Sequence, residues 1–187
     1  GCIEAMNAYG FMIERGLTGE INKEEIIKYF KMAADRGDAE GLNNYGFLLA
    51  MHENNKDKIN EGVNCIKKSV EKGYTTAMIN YASMLLKGEK VPFDEEQGIK
   101  YYKMAIDKND VDAMFHYSMA LLIGKYVKKN IDEGLKYLKM AIDHGHEKAI
   151  VNYASMLENG TCVPVNKKEA IKYYKMAIDN GSVYAMN

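Results

Sequence analysis

Apolar residues recur along this chain at the three- and four-residue spacing of one helical face, and the whole pattern then repeats. Leu42, Tyr45, Leu48 and Leu49 mark one such face, predicting a helix over about 39–51. Ile99, Tyr102 and Ile106 mark a second kind, matched by Leu135, Leu138 and Ile142 one period later. The period is 36 residues, with tyrosine at 9, 45, 81, 117 and 153 and no insertion between them. Four residues before each tyrosine stands a small residue: Ala5, Gly41, Ala77, Ala113, Ala149 and again Ala185. The element after it is always apolar, from Met6 through Leu42, Met78, Met114 and Ile150 to Met186. Self-similarity at this length is the mark of a repeat array.

Each period predicts two helices. The first has candidate N-caps at Asp38, Asp110 and Ser182, whose side-chain oxygens can accept free backbone N–H groups. It is closed by glycine at 16, 88, 124 and 160, which can take the left-handed conformation. The second opens on capping boxes, Asn22 with Glu25, Asp94 with Gln97, Asn130 with Glu133 and Asn166 with Glu169. The second period has only Lys58 with Glu61 there, which predicts a less sharply defined start. Second helices end at Gly37, Gly73, Gly145 and Gly181, with Asn109 in that slot once. Gly62, Gly98 and Gly134 fall inside second helices, where glycine costs about 1 kcal/mol relative to alanine. Their recurrence implies a close approach between helices.

The period 149–181 reads A-I-V-N-Y-A-S-M-L-E-N-G-T-C-V-P-V-N-K-K-E-A-I-K-Y-Y-K-M-A-I-D-N-G. Its Ala-x-x-Asn start, Gly-x-x-Val-Pro turn, Asn cap, Ala-x-x-Tyr-Tyr-x-x-Ala run and closing Gly closely resemble the Sel-one-like repeat, a relative of the tetratricopeptide repeat. The period with Val91-Pro92 fits equally well, while that of His52–Asp57 lacks both the glycine and the Val-Pro. The resemblance implies an all-α, right-handed α-α superhelix (a solenoid). It would hold five helix-turn-helix repeats, about 2–37, 38–73, 74–109, 110–145 and 146–181, with a partial sixth at 182–187. It also implies a non-catalytic scaffold or adaptor that binds a protein or peptide in a concave groove lined by first helices. One repeat domain over 1–187, cut from a longer protein, is the expected organisation, and uncapped ends would permit end-to-end self-association.

In that groove the slot before each repeat tyrosine would face a ligand. Here it holds Asn44, Asn80, His116 and Asn152. A carboxamide both donates and accepts, so such a row can bond a peptide backbone of any sequence. Ile79, Phe115, Met119, Leu122 and Ile123 occupy neighbouring slots and would supply apolar contacts. Glu4, Glu40, Thr76 and Asp112, and only then Lys148, stand where a clamp for an acidic C-terminus would carry cations, which disfavours such a clamp.

Charge narrows the partners. The chain has 25 Lys+Arg against 26 Asp+Glu, net −1, which excludes the basic footprint of a nucleic-acid binder. No apolar run reaches the roughly 18–20 residues of a spanning helix, so no membrane insertion is expected. Lysine pairs at 28/31, 100/103, 136/139 and 172/175 read as a solvated stripe on second helices. Cys2, Cys65 and Cys162 fall at unrelated phases, which suggests free thiols and a reducing, cytoplasmic setting. Asn159-Gly-Thr161 and Asn180-Gly-Ser182 match the glycosylation pattern and keep an endoplasmic reticulum lumen or secreted location open. Ser69-x-x-Lys72 matches one element of a β-lactamase nucleophile, yet Ser69 sits in the slot of Ala33, Ala105, Ala141 and Ala177 and reads as packing. His144 and His146 lack metal-ligand spacing. No cofactor, metal or catalytic residue is expected. Two alternatives remain, a spacer attached to a catalytic domain elsewhere and a bacterial-type cell-wall or β-lactam ligand binder.

Overall fold

The computed structural model describes residues 2–17, 19 and 21–180. Ten helices run through them: α1 (Ile3–Glu14), α2 (Lys23–Ala34), α3 (Ala39–His52), α4 (Lys56–Glu71), α5 (Thr75–Lys87), α6 (Glu95–Ile106), α7 (Val111–Ile123), α8 (Ile131–Asp143), α9 (Glu147–Asn159) and α10 (Lys167–Asp179). The fold class is all-α, with one helix pair per period and no strand among the described residues. Gly181, Ser182, Ala185, Met186 and the partial sixth repeat lie outside the described residues. The chain divides into two compact units, Gly1–Met104 and Ala105–Asn187.

In the first unit α1 packs on α2, α2 on α3, α3 on α4 and α4 on α5. Its core joins Ile13, Ile26, Phe30, Leu42, Tyr45 and Leu49. In the second unit α7 packs on α8, α8 on α9 and α9 on α10, burying Met114, Tyr117, Leu138, Ile142, Ile150 and Leu157. Ile99 and Leu135, expected in the core, are only half-buried.

The links between helices are held by backbone bonds. Gly88, Gly124 and Gly160 close α5, α7 and α9 in the left-handed region, with φ of 67°, 68° and 73°. Asn109 adopts φ 59° in the slot held elsewhere by Gly37, Gly73 and Gly145, as its short side chain permits. Within the expected capping boxes, Asn130 Oδ1 accepts from the Glu133 N–H and Asn166 Oδ1 from the Glu169 N–H, both at 3.1 Å. The reciprocal half differs. The cap residue's own N–H is spent on the preceding helix, Asp94 on Leu85 O, Asn130 on Leu121 O and Asn166 on Leu157 O. Glu133 and Glu169 therefore accept from the asparagine Nδ2 instead, at 3.1 and 2.8 Å.

The second repeat corrects an expectation. α4 does not start loosely near Lys58. Asn55 caps it three residues earlier, accepting from the N–H groups of Asp57 and Lys58 at 2.8 and 3.2 Å. α3 ends without a left-handed residue, its C-cap Glu53 being extended, and α4 runs 16 residues. The close helix approach implied by the interior glycines is present. A Cβ on Gly62 would lie 2.5 Å from Gly46 O, and one on Gly98 or Gly134 would lie 2.7 Å from Leu86 or Leu122 side-chain atoms.

Candidate interaction site

The predicted ligand-facing residues fall into both units. In the first, Asn80 Nδ2 donates to Asn43 Oδ1 at 2.9 Å, and Asn43 Nδ2 donates to Asn44 Oδ1 at 3.0 Å. Two members of the predicted row are thus wired together through a buried third carboxamide, and Asn44 Nδ2 is left buried without a partner. A parallel arrangement precedes it: buried Asn7 donates to Asp38 Oδ2 at 2.7 Å and to Glu40 Oε2 at 3.3 Å. Ile79 is 8% exposed and belongs to the core. Sequence reasoning overlooked Asn43, although a visible signal was present. The slot before the row is asparagine at 7 and 43 and then apolar at Ile79, Phe115 and Val151. A buried slot that switches from amide to aliphatic needs a polar partner where it is polar.

In the second unit Phe115 is also 8% exposed. Its ring stacks on His146, with centroids 4.5 Å apart, and meets His116 edge-on at 5.4 Å. His146 caps α9: its Nδ1 accepts from the Ala149 N–H at 3.0 Å. That bond places the neutral ring's proton on Nε2, which faces Asp112 Oδ1 at 3.0 Å. His146 thus fills the slot of Asp38 and Asp110, a capping role that a sequence search for acids and hydroxyls passes over. His116 stands at the surface, and desolvation of its ring lowers its pKa, with Asp112 acting in the opposite direction.

Met119, Leu122, Ile123 and Asn152 line one open cleft of about 370 Å³ between α7 and α9, with Ser155, Met156 and Cys162. Leu122 is buried, Met119 and Asn152 are half-buried, and Ile123 is 62% exposed. Asn152 Nδ2 is bonded to Lys148 O at 2.8 Å, which keeps its Oδ1 as the acceptor. The structure therefore brings together Met119, Asn152 and Ile123, and absorbs Ile79 and Phe115 into packing.

Other candidates resolve plainly. Ser69 is fully buried and its hydroxyl donates to Ala39 O at 2.6 Å. The three cysteines are free thiols, and burial raises the pKa of Cys65. The lysine stripe is more than solvated, because Lys31 lies over the Tyr45 ring at 5.3 Å and Lys139 over Tyr153 at 6.0 Å. Asn159 Nδ2 is bonded back to Ser155 within its helix. No helix of the described residues is long and apolar enough to cross a membrane. No group of three His, Cys, Asp or Glu among them could hold a metal ion.

Solved structures share this fold. A Sel1 repeat protein of Oxalobacter formigenes is 24% identical with a TM-score of 0.76, over 99% of this chain and 76% of its own. A protective antigen of uropathogenic Escherichia coli with an SLR fold is 18% identical with a TM-score of 0.70, over 99% of this chain and 40% of its own. An immunity protein of Pseudomonas aeruginosa is 17% identical with a TM-score of 0.70, over 98% of this chain and 67% of its own. No curated protein sequence matches the chain significantly. The sequence model of the Sel1 repeat matches residues 3–38, 75–110, 111–146 and 147–182, leaving out the repeat with the short turn. Those four matches span well over half of the residues: the chain belongs to the Sel1 repeat family, whose repeats are in general protein-interaction scaffolds and typically non-catalytic.

Proposed function

We propose that this chain is a non-catalytic protein-interaction module that takes up an extended peptide or a short helix on its first helices. The observation that carries the reading is the cleft of the second unit, where Met119 and Asn152 line one opening. Ile123, 62% exposed, forms its apolar margin. An exposed aliphatic group beside an adaptable methionine suits side chains of varied shape. The Asn152 carboxamide oxygen accepts a backbone N–H of the ligand, and His116 lies at the neighbouring surface slot as a further polar contact. In the first unit Asn80 keeps its carboxamide oxygen as acceptor, its Nδ2 being bonded to Asn43, while Asn44 is engaged by Asn43 through its Oδ1. Phe115 and Ile79, each buried in its own unit, do not touch the ligand.

A peptide library displayed on phage and selected against the full chain tests this. Selected peptides should lose at least about tenfold in affinity on Met119→Asp, since an apolar contact is replaced by a desolvated charge. Asn152→Ala should cost roughly fivefold, one hydrogen bond. Lys136→Glu, on the face of α8 where Lys136 lies over Tyr137, should change nothing. Equal loss on all three substitutions, or no loss on the first two, defeats the proposal.

A further inference from the structure

A second cleft, of about 340 Å³, lies at the loop ends of α1, α2 and α3 in the first unit. That volume is at the lower end of the ~300–1,000 Å³ common for ligand pockets, enough for one or two side chains. Its floor is Ile26, a core residue, and its walls are Ile27 and Leu48, both only partly buried against that core. Ile21, 59% exposed, forms the lip. Later repeats place valine at this phase, Val91, Val127 and Val163, of which Val127 is 5% exposed and the other two are half-buried. The first two repeats have Gly19 and Asn55 instead. A Cβ at Gly19 would meet no atom within 4 Å, and the Asn55 side chain is committed to capping α4.

The rim is acidic. Glu14, Glu24 and Glu53 surround the apolar walls, against Lys23 and the imidazole of His52. Glu53 is already engaged by Lys58 at 3.4 Å, so Glu14 and Glu24 against Lys23 leave one net negative charge on the rim. An apolar pit ringed by carboxylates selects an aliphatic group with a cation beside it and repels an acidic segment or a phosphate.

We infer that this cleft docks a peptide segment of a partner protein in which an aliphatic side chain is followed by lysine or arginine. The aliphatic group enters between Ile27 and Leu48, and the cation lies between Glu14 and Glu24. This site is separate from the cleft of α7 and α9 and does not depend on it.

The isotope-labelled 187-residue chain is titrated with three capped synthetic peptides, Ser-Gly-Leu-Lys-Lys-Gly-Ser, its Leu→Ser form and its Lys,Lys→Glu,Glu form, while amide resonances are followed. The first should shift the amides of Ile27, Leu48 and His52. The Leu→Ser form should bind at least about tenfold more weakly, the loss of one buried leucine. The acidic form should bind about tenfold more weakly and lose its difference from the basic form in high salt. Glu14→Lys with Glu24→Lys, two exposed positions that leave the core intact, should weaken the basic peptide roughly fivefold to tenfold. Met119→Asp should have no effect, which separates this site from the one proposed above. Absence of shifts at these amides, or equal binding of all three peptides, overturns the proposal.

Discussion

The second repeat and the fifth solve the same helix pair with different chemistry at the same crossing point. In the second, Gly46 on α3 faces Gly62 on α4, and the two backbones approach so closely that neither position has room for a Cβ. In the fifth, the same slots hold Ala154 and Ala170, both buried, so the crossing there accommodates a methyl on each helix. The turns differ in step. The fifth repeat needs a left-handed glycine, Gly160, with Val165 folded over it, before Asn166 can start α10. The second passes from His52 to Lys56 through an extended Glu53 and reaches the Asn55 cap directly. Both keep the 36-residue period. The repeat is therefore held by its crossing and its small residues, and the turn is exchangeable. The helices of residues 39–74, the stretch that the family pattern skips, form as usual.

Exchanging the crossing residues should have the largest effect. Gly62→Ala puts a methyl 2.5 Å from Gly46 O and 2.8 Å from Ala50 N, backbone atoms that cannot rotate away. The alanine's better helix propensity, worth about 1 kcal/mol, does not offset such overpacking, and a net loss of about 2–3 kcal/mol is expected in urea denaturation. Gly134→Ala meets the Cγ and Cδ2 of Leu122 at 2.7 and 2.9 Å, side-chain atoms that give way more readily than backbone, and should cost about 1 kcal/mol, less than Gly62→Ala. Equal cost at the two glycines would mean that the backbone contact of the second repeat is not what sets its geometry. Next comes the turn. Gly160→Ala forces a Cβ into φ 73° and toward Val165, for about 1–2 kcal/mol. His52→Ala, at the same phase of the second repeat but inside α3, should be neutral in the same experiment.

The architecture was legible in the sequence because each of its determinants recurs. Tyrosine every 36 residues, small residues at fixed phase and polar caps before apolar runs all act locally, and the structure places them as expected. What does not follow from the repeat spacing was not legible. Asn55 starts α4 from outside the consensus slot, because a shorter turn brings a different asparagine to the helix end. The half-made capping boxes depend on Leu121 O and Leu157 O reaching across the turn, a geometry that no spacing rule contains. The candidate site was legible only in part. Periodicity puts Phe115 and Met119 on one helix, but whether each faces solvent is set by what packs beside it. His146 stacks on Phe115 and covers it, whereas Met119 opens on a cleft.

Caps should rank below the turn. Asn55→Ala and Asn166→Ala each remove a side-chain acceptor from a helix start and should each cost about 1 kcal/mol. Lys58→Ala should cost less than about 0.5 kcal/mol, since Lys58 lies within α4 and not at its start. A Lys58 effect as large as that of Asn55 in thermal denaturation would restore the start that the sequence pattern suggests.

The smallest effect lies in the repeat tyrosines and separates the two repeats by pH. Tyr45 donates to Glu61 Oε1 at 2.8 Å, whereas Tyr153 feels Glu169 only through its charge. Both phenols are raised from their ordinary value. Desolvation is the largest cause in each, followed for Tyr45 by the hydrogen bond to Glu61. A raised folded-state pKa gives stability that is full below the unfolded phenol value of about 10 and is lost as pH rises through the folded value. At neutral pH, Tyr45→Phe should cost about 1 kcal/mol, the bond to Glu61, and Tyr153→Phe about 0.5 kcal/mol or less. Above pH of about 10 the parent loses its phenol contribution and the Phe variants do not, so both differences should shrink, that of Tyr45 by more. Urea midpoints at pH 7, 9 and 10.5 for parent and both variants measure this. A Tyr45→Phe penalty that stays constant across that range would show that its bond to Glu61 contributes nothing to the second repeat that the fifth lacks.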